Sequence, residues 1–396
     1  MPMDYSELRI KENRTGPVLG RHPWVFSGAL MEMPEGLEPG TPVRLLSERG
    51  RYLGSGYFNS YSQIAVRIWS HDEHERVDRT FFVRRILRAL ELRRLLVGGD
   101  TNTYRIINGE SDLLPGLIVD RYDRWLAVQF HNRGIESWKD TIVKALIEVL
   151  APEGIYERSE IASRQREGAQ DSTGLLWGKV PERVEVRESG LSFYVDIAGG
   201  QKTGFFLDQR DKRRALMRYS RGKRILNCFS YTGGFSVYAL MGRAKHVTNV
   251  DSSASALELA RQNAELNGFE ADRSEYVEMD AKKYIASLKQ GMFDLIILDP
   301  PAFIKDRRKI KEGIRGYRGI NEAAMRSLSI GGLLMTCSCS AHLSPQDFRH
   351  LVSESGGAAG RTLQIVESFG HGPDHPVLVP YTEGEYLKCL MLSVLE

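Results

Sequence analysis

The stretch Asn227-Cys228-Phe229-Ser230-Tyr231-Thr232-Gly233-Gly234-Phe235 grows out of the compact apolar run RILNCF (224–229). A glycine pair directly after a β-like run lets the backbone turn sharply into a helix and lie close against a ligand. Eighteen residues after Gly233, Asp251 ends a second compact run, HVTNVD (246–251). Strand, glycine turn, helix, strand and terminal acid, in that order, predict the opening of a doubly wound parallel sheet.

Working downstream, FDLIILD (293–299) and GLLMTCS (332–338) are further compact apolar runs. Helix-like segments separate the runs, among them 253–266 with Leu257, Ala260 and Ala264 along one side. Strands alternating with helices predict an α/β fold with a parallel sheet. LQIVESF and YLKCLMLSV, between about 363 and 394, suit a terminal hairpin. Residues 189–396 therefore read as one Rossmann-like domain, whose ligands should bind at the carboxyl ends of the strands.

Upstream the pattern changes twice. In 1–72, VRLLSERGRYLGSGYFN alternates and is broken by glycines, and SQIAVRIWS is a second β-like run. HDEHERVD then reads as a charged connector, with His71 and His74 solvated rather than ligating. In 73–188 a helix is predicted at 78–96, with Val83, Ile86, Leu87 and Leu90 on one face. LPGLIVDRY and WLAVQFH, parted by Asp123 and Arg124, predict a hairpin, and Trp138, Ile142, Leu146 and Val149 a second amphipathic helix. With β-like runs at 154–158 and 183–187 this region reads as a small α+β domain. A chain of 396 residues exceeds the size at which one core keeps growing, so a three-domain division fits.

Composition narrows the function classes. No apolar run approaches the roughly 18–20 residues that span a bilayer, and the N-terminus MPMDYSELRIKEN is too charged for a secretory signal. Four cysteines without zinc-ligand spacing predict neither a disulfide framework nor a metal site, so a cytoplasmic protein is expected. The net charge is only +3, but it is unevenly spread over three basic stretches, 76–94, 210–224 and 305–318. The last carries Lys305, Arg307, Arg308, Lys309, Lys311, Arg315 and Arg318 against Asp306 and Glu312. Clustered cations on a nearly neutral chain fit a polyanion-facing surface. The run 76–94 reads equally as a solvated helix face.

An acid at Asp251 can accept hydrogen bonds from both ribose hydroxyls of a nucleoside cofactor. A nicotinamide dinucleotide would show the same feature, but the G-x-G-x-x-G pyrophosphate fingerprint is absent. S-adenosylmethionine (SAM) carries no phosphate and needs no such cradle. Phe229, Tyr231, Thr232 and Gly233 then form the turn against SAM. Asp280, after the strand-like YVEM, is placed for the adenine amino group, and Asp299-Pro300-Pro301 closes the fourth strand beside the expected methyl. The competing reading makes the glycines a mere turn and the aspartates helix caps.

Thr336-Cys337-Ser338-Cys339-Ser340 ends the next strand. Carbon 5 of a pyrimidine is a poor nucleophile, and a thiolate adding to carbon 6 turns the ring into an enamine that can attack a sulfonium methyl. Only the thiolate reacts, so such a site must lower a free-thiol pKa of about 8.5. Cys337 and Cys339, two apart, face the same way on a strand, and the one nearer the strand end should reach the substrate. The alternative is that these cysteines, like Cys228 and Cys389, are small buried hydrophobes. Enzymes that methylate exocyclic amines carry Asp/Asn-Pro-Pro followed directly by an aromatic residue. Here Ala302 fills that place and Phe303 comes one later.

Read together, these residues resemble the ribosomal RNA large subunit methyltransferase I family, which makes 5-methylcytosine in 23S rRNA. The resemblance runs over nearly the whole chain. It takes in Arg21-His22-Pro23-Trp24-Val25-Phe26-Ser27-Gly28, Gly109-Glu110-Ser111-Asp112 and Leu114-Pro115-Gly116. It continues through Lys202-Thr203-Gly204-Phe205-Phe206-Leu207-Asp208-Gln209-Arg210, the glycine turn, Asp299-Pro300-Pro301, Ser338-Cys339-Ser340 and Asp374-His375-Pro376. It implies an N-terminal β-rich PUA domain that contacts RNA (1–72), a central α+β domain (73–188) and a class I methyltransferase domain (189–396). By the same match Cys339 is the nucleophile, Asp299 orients the cytosine and also borders SAM, and Phe206 and Asp208 line the SAM pocket. Trp24 is expected in the core, with Arg21 and Phe26 either core or contact residues. Two departures stand out. Many RNA cytosine methyltransferases carry a second cysteine after the fourth strand, where this chain has Pro301 and Ala302. The family pattern often has Lys at the position of Ala302. The base that removes the carbon-5 proton is left between His375 and water. The expected partner is 23S rRNA with no membrane, and the oligomeric state is left open, a homodimer included. Two other readings remain at this level, an exocyclic amine methyltransferase and a non-catalytic RNA-binding factor that keeps SAM as a ligand.

Overall fold

The computed structural model describes residues 5–160, 164–304 and 306–396; Lys305 of the third basic stretch lies outside them. Contacts divide the chain into two units. One runs to Val186 and takes in Val195–Leu207 and Pro373–Thr382, and the other holds Arg187–Tyr194, Asp208–Gly372 and Glu383–Glu396.

The first unit contains two five-stranded sheets. In the N-terminal sheet Ser6–Ile10 pairs in parallel with Pro42–Ser47, followed by Tyr52–Phe58, Ile64–Ser70 and Trp24–Phe26 in antiparallel order. Its alternating apolar positions, such as Val43, Leu45 and Val66, close over one cluster. In the second sheet the predicted hairpin forms between Leu117–Tyr122 and Trp125–Phe130. Helices Arg79–Leu96 and Lys139–Leu150 contribute Phe82, Ile86, Ile142 and Leu146 to a common core with Val119 and Val128. Tyr57 and Trp69 of the N-terminal sheet join the same core, the Trp69 ring lying 5.5 Å from that of Trp138. That shared aromatic core is why the two sheets behave as one unit.

The helix from Arg79 starts where the Asp78 side chain accepts from the Phe81 N–H, an N-cap. Its buried face is Phe81, Phe82, Ile86, Ala89, Leu90 and Arg93, so Leu87, expected inside, is exposed. Arg93, three residues after Leu90, is buried on that face, because its guanidinium forks onto both oxygens of Asp112 at 2.6 and 2.7 Å and reaches the Asp374 carbonyl at 3.1 Å. A planar fork that satisfies its donors in this way is what lets an arginine be buried.

The second unit is a seven-stranded sheet: β1 (Arg224–Cys228), β2 (His246–Asp251), β3 (Ser274–Glu278), β4 (Leu295–Leu298), β5 (Leu333–Ser338), β6 (Leu363–Phe369) and β7 (Lys388–Val394). The order is β3-β2-β1-β4-β5-β7-β6, with β7 antiparallel between β5 and β6. Helices α1 (Arg210–Ser220), α2 (Gly234–Met241), α3 (Ala254–Leu266), α4 (Ala281–Ala286), α5 (Ile310–Ser327) and α6 (Pro345–Ala358) belong to the same unit. The central strands are apolar on both faces, as buried parallel strands are, with Leu226, Ile296 and Leu334 in one cluster and Ile225, Ile297 and Met335 in the other. The parallel register sets Cys228 level with Val250 on one side and Leu298 on the other, and Leu298 level with Thr336. All four carboxyl ends therefore open on one edge.

Candidate active site

The turn from β1 into α2 is built from left-handed residues, Phe229 at φ 59°, Tyr231 at φ 47° and Gly233 at φ 74°. At Gly233 a side chain is doubly excluded: the conformation disfavours it, and a Cβ would lie 2.9 Å from the Ala260 Cβ on α3. Gly233→Val is expected to weaken SAM binding by about tenfold or more, since left-handed strain costs about 1–3 kcal/mol before the clash is counted. Isothermal titration calorimetry checks this, and an unchanged Kd would contradict it.

Asp251 ends β2 half-buried, and its two oxygens accept the backbone N–H groups of Tyr231 (2.9 Å) and Ser253 (3.0 Å). It thus braces the glycine turn and the start of α3. Each carboxylate oxygen keeps a second lone pair, so the acid can still accept from ribose hydroxyls. Asp280 caps α4 by accepting from the Lys283 N–H at 3.0 Å, as the competing reading held, which leaves Oδ2 of this exposed residue for an adenine. Two hydroxyls of the turn, Ser230 Oγ and Thr232 Oγ1, are buried without a hydrogen-bond partner. Buried orphan polar atoms are rare in folded proteins and ask for a ligand. The turn thus fits a polar nucleoside cofactor.

Asp299, half-buried, takes a 2.8 Å hydrogen bond on Oδ1 from the Gln209 amide. Asp208, one residue before Gln209, is buried and accepts from the Tyr386 hydroxyl at 2.7 Å. Phe303 is half-buried. Its ring packs 4.7 Å from Tyr317 and 6.4 Å from Phe229, and Lys282 Nζ lies 4.3 Å above it.

The cysteines separate clearly. Cys337 lies within β5, fully buried and level with Cys389, and burial holds its thiol well above the usual range. Burial likewise raises Cys228. Cys339 falls one residue past the end of β5, so the strict alternation that would align it with Cys337 has ended. It is partly exposed, and its Sγ is 3.9 Å from the Pro300 carbonyl oxygen, the residue after Asp299.

Phe229, Tyr231, Thr232, Gly233, Asp251, Asp280, Asp299 and Cys339 therefore gather along the carboxyl edge of one sheet, with Asp208 in the same unit. Phe206 groups instead with the first unit, its ring beneath Lys202 Nζ at 4.5 Å. His375 also belongs to the first unit, buried, with Nδ1 3.2 Å from Asp374 Oδ1. Tyr317, Tyr386 and Lys388, and the pairing of Gln209 with Asp299, escaped the sequence reading, because nothing local marks a partner 23 to 178 positions away.

The basic stretches fare differently. On α5 and just before it, Arg307, Arg308, Lys309, Lys311, Arg315 and Arg318 are exposed. The 210–224 run is split: Arg210, Lys212 and Arg213 are buried, Arg213 on Glu188 at 2.7 and 2.8 Å, whereas Arg214, Arg218, Arg221 and Arg224 are exposed. Trp24 is half-buried, its indole N–H on Glu110 at 2.9 Å and its ring 4.9 Å from Tyr381, while Arg21 and Phe26 are exposed. Among the described residues no cluster has the make-up of a metal site, and no helix is long and apolar enough to cross a membrane.

A doubly wound sheet of this order, with a left-handed glycine turn after β1, an acid ending β2 and a matching family model, is that of a class I SAM-dependent methyltransferase. The family model described as S-adenosylmethionine-dependent methyltransferase matches residues 154–392, and a PUA-like domain model matches 8–71. Two solved methyltransferases share the fold at 24% identity, each covering 98% of this chain and 100% of theirs. One is from Streptococcus mutans (TM-score 0.83), and the other was solved with S-adenosylhomocysteine bound (TM-score 0.85). Ribosomal RNA large subunit methyltransferase I of Tolumonas auensis is 41% identical over 395 residues, 98% of this chain and 100% of its own. The chain belongs to the ribosomal RNA large subunit methyltransferase I family, and its cofactor is SAM.

Proposed function

We propose that this protein methylates carbon 5 of a cytosine in 23S rRNA through a covalent adduct on Cys339, in the cytoplasm. The observation that carries the reading is the position of Cys339. It is a partly exposed thiol at the carboxyl edge of the sheet, next to the Asp299-Pro300-Pro301 turn, while Cys228, Cys337 and Cys389 are buried. The relatives named as large-subunit rRNA methyltransferases supply the RNA.

In this mechanism the target base leaves its stack to enter the pocket, as bases must for chemistry on their ring. Asp299, held on Oδ1 by Gln209, receives the cytosine through its amine or protonated ring nitrogen. Cys339 Sγ adds to carbon 6, and the pair of electrons displaced from the carbon 5–carbon 6 bond makes carbon 5 nucleophilic. The turn at 229–233 with Asp251 and Asp280 would hold SAM, which would supply carbon 5 with an electrophilic methyl and leave as S-adenosylhomocysteine. Loss of the carbon-5 proton to water then restores the double bond and expels the thiolate. His375, the other candidate for that base, is buried with Nδ1 3.2 Å from Asp374 Oδ1. Exposed cations on α5 would hold phosphates and so position the RNA without reading its sequence. The domains that carry these roles are an RNA-contacting PUA domain (1–72), a central domain (73–188) and the catalytic domain (189–396).

Purified protein incubated with SAM and unmodified 23S rRNA is expected to yield 5-methylcytidine on mass spectrometry of the digested nucleosides. N4-methylcytidine or N6-methyladenosine would transfer the chemistry to an exocyclic amine, and no methyl incorporation would favour a binding factor.

A further inference from the structure

Lys388 opens β7 at the catalytic edge, paired in register with Ser338, the residue before Cys339. It is a buried lysine, 5% exposed, and its Nζ donates to the Ser340 carbonyl at 2.6 Å and the Tyr386 carbonyl at 2.8 Å. One of those acceptors belongs to the residue immediately after Cys339, so the amine and the thiol flank the same short backbone segment. An ammonium has three donors. Two are spent on carbonyls, and among the described residues no ion pair to Lys388 is found. Burying a lysine without a carboxylate partner is costly, and a role beside Cys339 explains that cost better than packing does.

We infer that Lys388 is a positioning residue for Cys339, its ammonium fixed on the Ser340 and Tyr386 carbonyls so as to hold the neighbouring thiol as a thiolate. The inference rests on the nucleophile reading above. In the resting pair the thiol proton passes from Sγ to the neutral amine, giving thiolate and ammonium with no net charge gained. Addition of sulfur to a base consumes the thiolate, and elimination restores it beside the same cation. Burial lowers the Lys388 amine and the Cys339 charge opposes that, leaving it at about 8, so each group favours the charged form of the other.

Other titratable groups around the pair are accounted for. On β5 and β7 the neighbours are Cys337 and Cys389, buried thiols level with one another. From α5 the Tyr317 hydroxyl shares a 3.0 Å hydrogen bond with Ser340 Oγ, and burial raises its pKa. From the segment after β6, His371 Nε2 accepts the Tyr386 and Leu387 N–H groups. Asp208 takes the Tyr386 hydroxyl, and Lys212 bonds the Asp208 and Gly370 carbonyls. Asp299 follows β4, where Leu298 is level with Thr336. Among the described residues, Lys388 is a cation bonded to the carbonyl next to Cys339.

The test is iodoacetamide alkylation of the full-length protein without RNA, across roughly pH 5–10, with Cys339 labelling read by peptide mass spectrometry. Wild-type Cys339 should titrate with a midpoint below the free-thiol value of about 8.5. Lys388→Met should raise that midpoint and slow labelling at neutral pH by about tenfold, and Lys388→Arg should recover most of the rate. SAM binding in the same samples reports folding; should Lys388→Met not fold, the wild-type midpoint and Lys388→Arg decide. A wild-type midpoint at or above the free-thiol value, or one that Lys388→Met leaves in place, overturns the inference. The two readings fail separately. An active Cys339→Ala enzyme removes the nucleophile but not the pair, whereas an inactive one with an unmoved Lys388→Met midpoint removes the pair but not the nucleophile.

Discussion

Cys339→Ala is expected to lose methyl transfer to 23S rRNA by roughly four to six orders of magnitude, the scale seen when a covalent nucleophile is removed. SAM affinity should stay within about twofold, because the groups proposed to hold the cofactor sit on β1, β2 and α4 rather than on the segment after β5. The two readouts must part company for the assignment to hold. A fall in both would mean that the mutation had damaged the fold, and retention of activity would remove the covalent route. Cys337→Ala makes the contrast. Cys337 is packed against the apolar cluster with Cys389, so its loss should cost stability and leave the chemistry standing.

The second large effect concerns the frame that supports the turn. Glu188 is fully buried and accepts from Arg213 on α1 at 2.8 and 2.7 Å, with the Tyr238 hydroxyl of α2 at 3.1 Å. Tyr238 also donates to the Glu188 backbone carbonyl at 3.0 Å. One carboxylate thus ties together the two helices that flank β1. Glu188→Gln leaves the Arg213 guanidinium buried without its counter-charge. Breaking one side of such a pair costs about 3–5 kcal/mol, more than the pair itself contributes over an apolar replacement. Denaturant unfolding of the second unit should show that loss, and a change under about 1 kcal/mol would mean that water or a neighbouring group compensates.

These two cases also mark what the sequence could and could not reveal. The sheet was legible because parallel strands buried on both faces read as short unbroken apolar runs, and because the turn after β1 needs glycine for a steric reason. Asp251, Asp299 and Cys339 were legible for the same cause, since each stands just past a recognisable run. Long-range pairing was not legible. Arg93, Lys212 and Arg213 look like solvated cations until Asp112, the Asp208 and Gly370 carbonyls, and Glu188 come into reach. On the helix from Arg79 the buried face also takes in Phe81, Phe82, Ala89 and Arg93, the last at a position where periodicity alone would put an apolar residue. The segment Pro373–Thr382 reads as part of the C-terminal region yet groups with the first unit. There Asp374 accepts the Arg105 N–H at 3.0 Å and Asn108 bonds the Pro376 carbonyl at 2.9 Å. Cys337 and Cys339 looked alike because a strand end cannot be fixed to one residue by pattern alone.

The most direct measurement uses an RNA in which the target cytosine carries fluorine at carbon 5. Fluorine cannot leave as a proton does, so an adduct formed through carbon 6 and then methylated has no way to eliminate. The account predicts a covalent protein–RNA complex, dependent on SAM, whose digested peptide bears the nucleotide on Cys339. A complex mapped to another residue, or methylation of the unsubstituted RNA with no trapped complex from the fluorinated one, would contradict it.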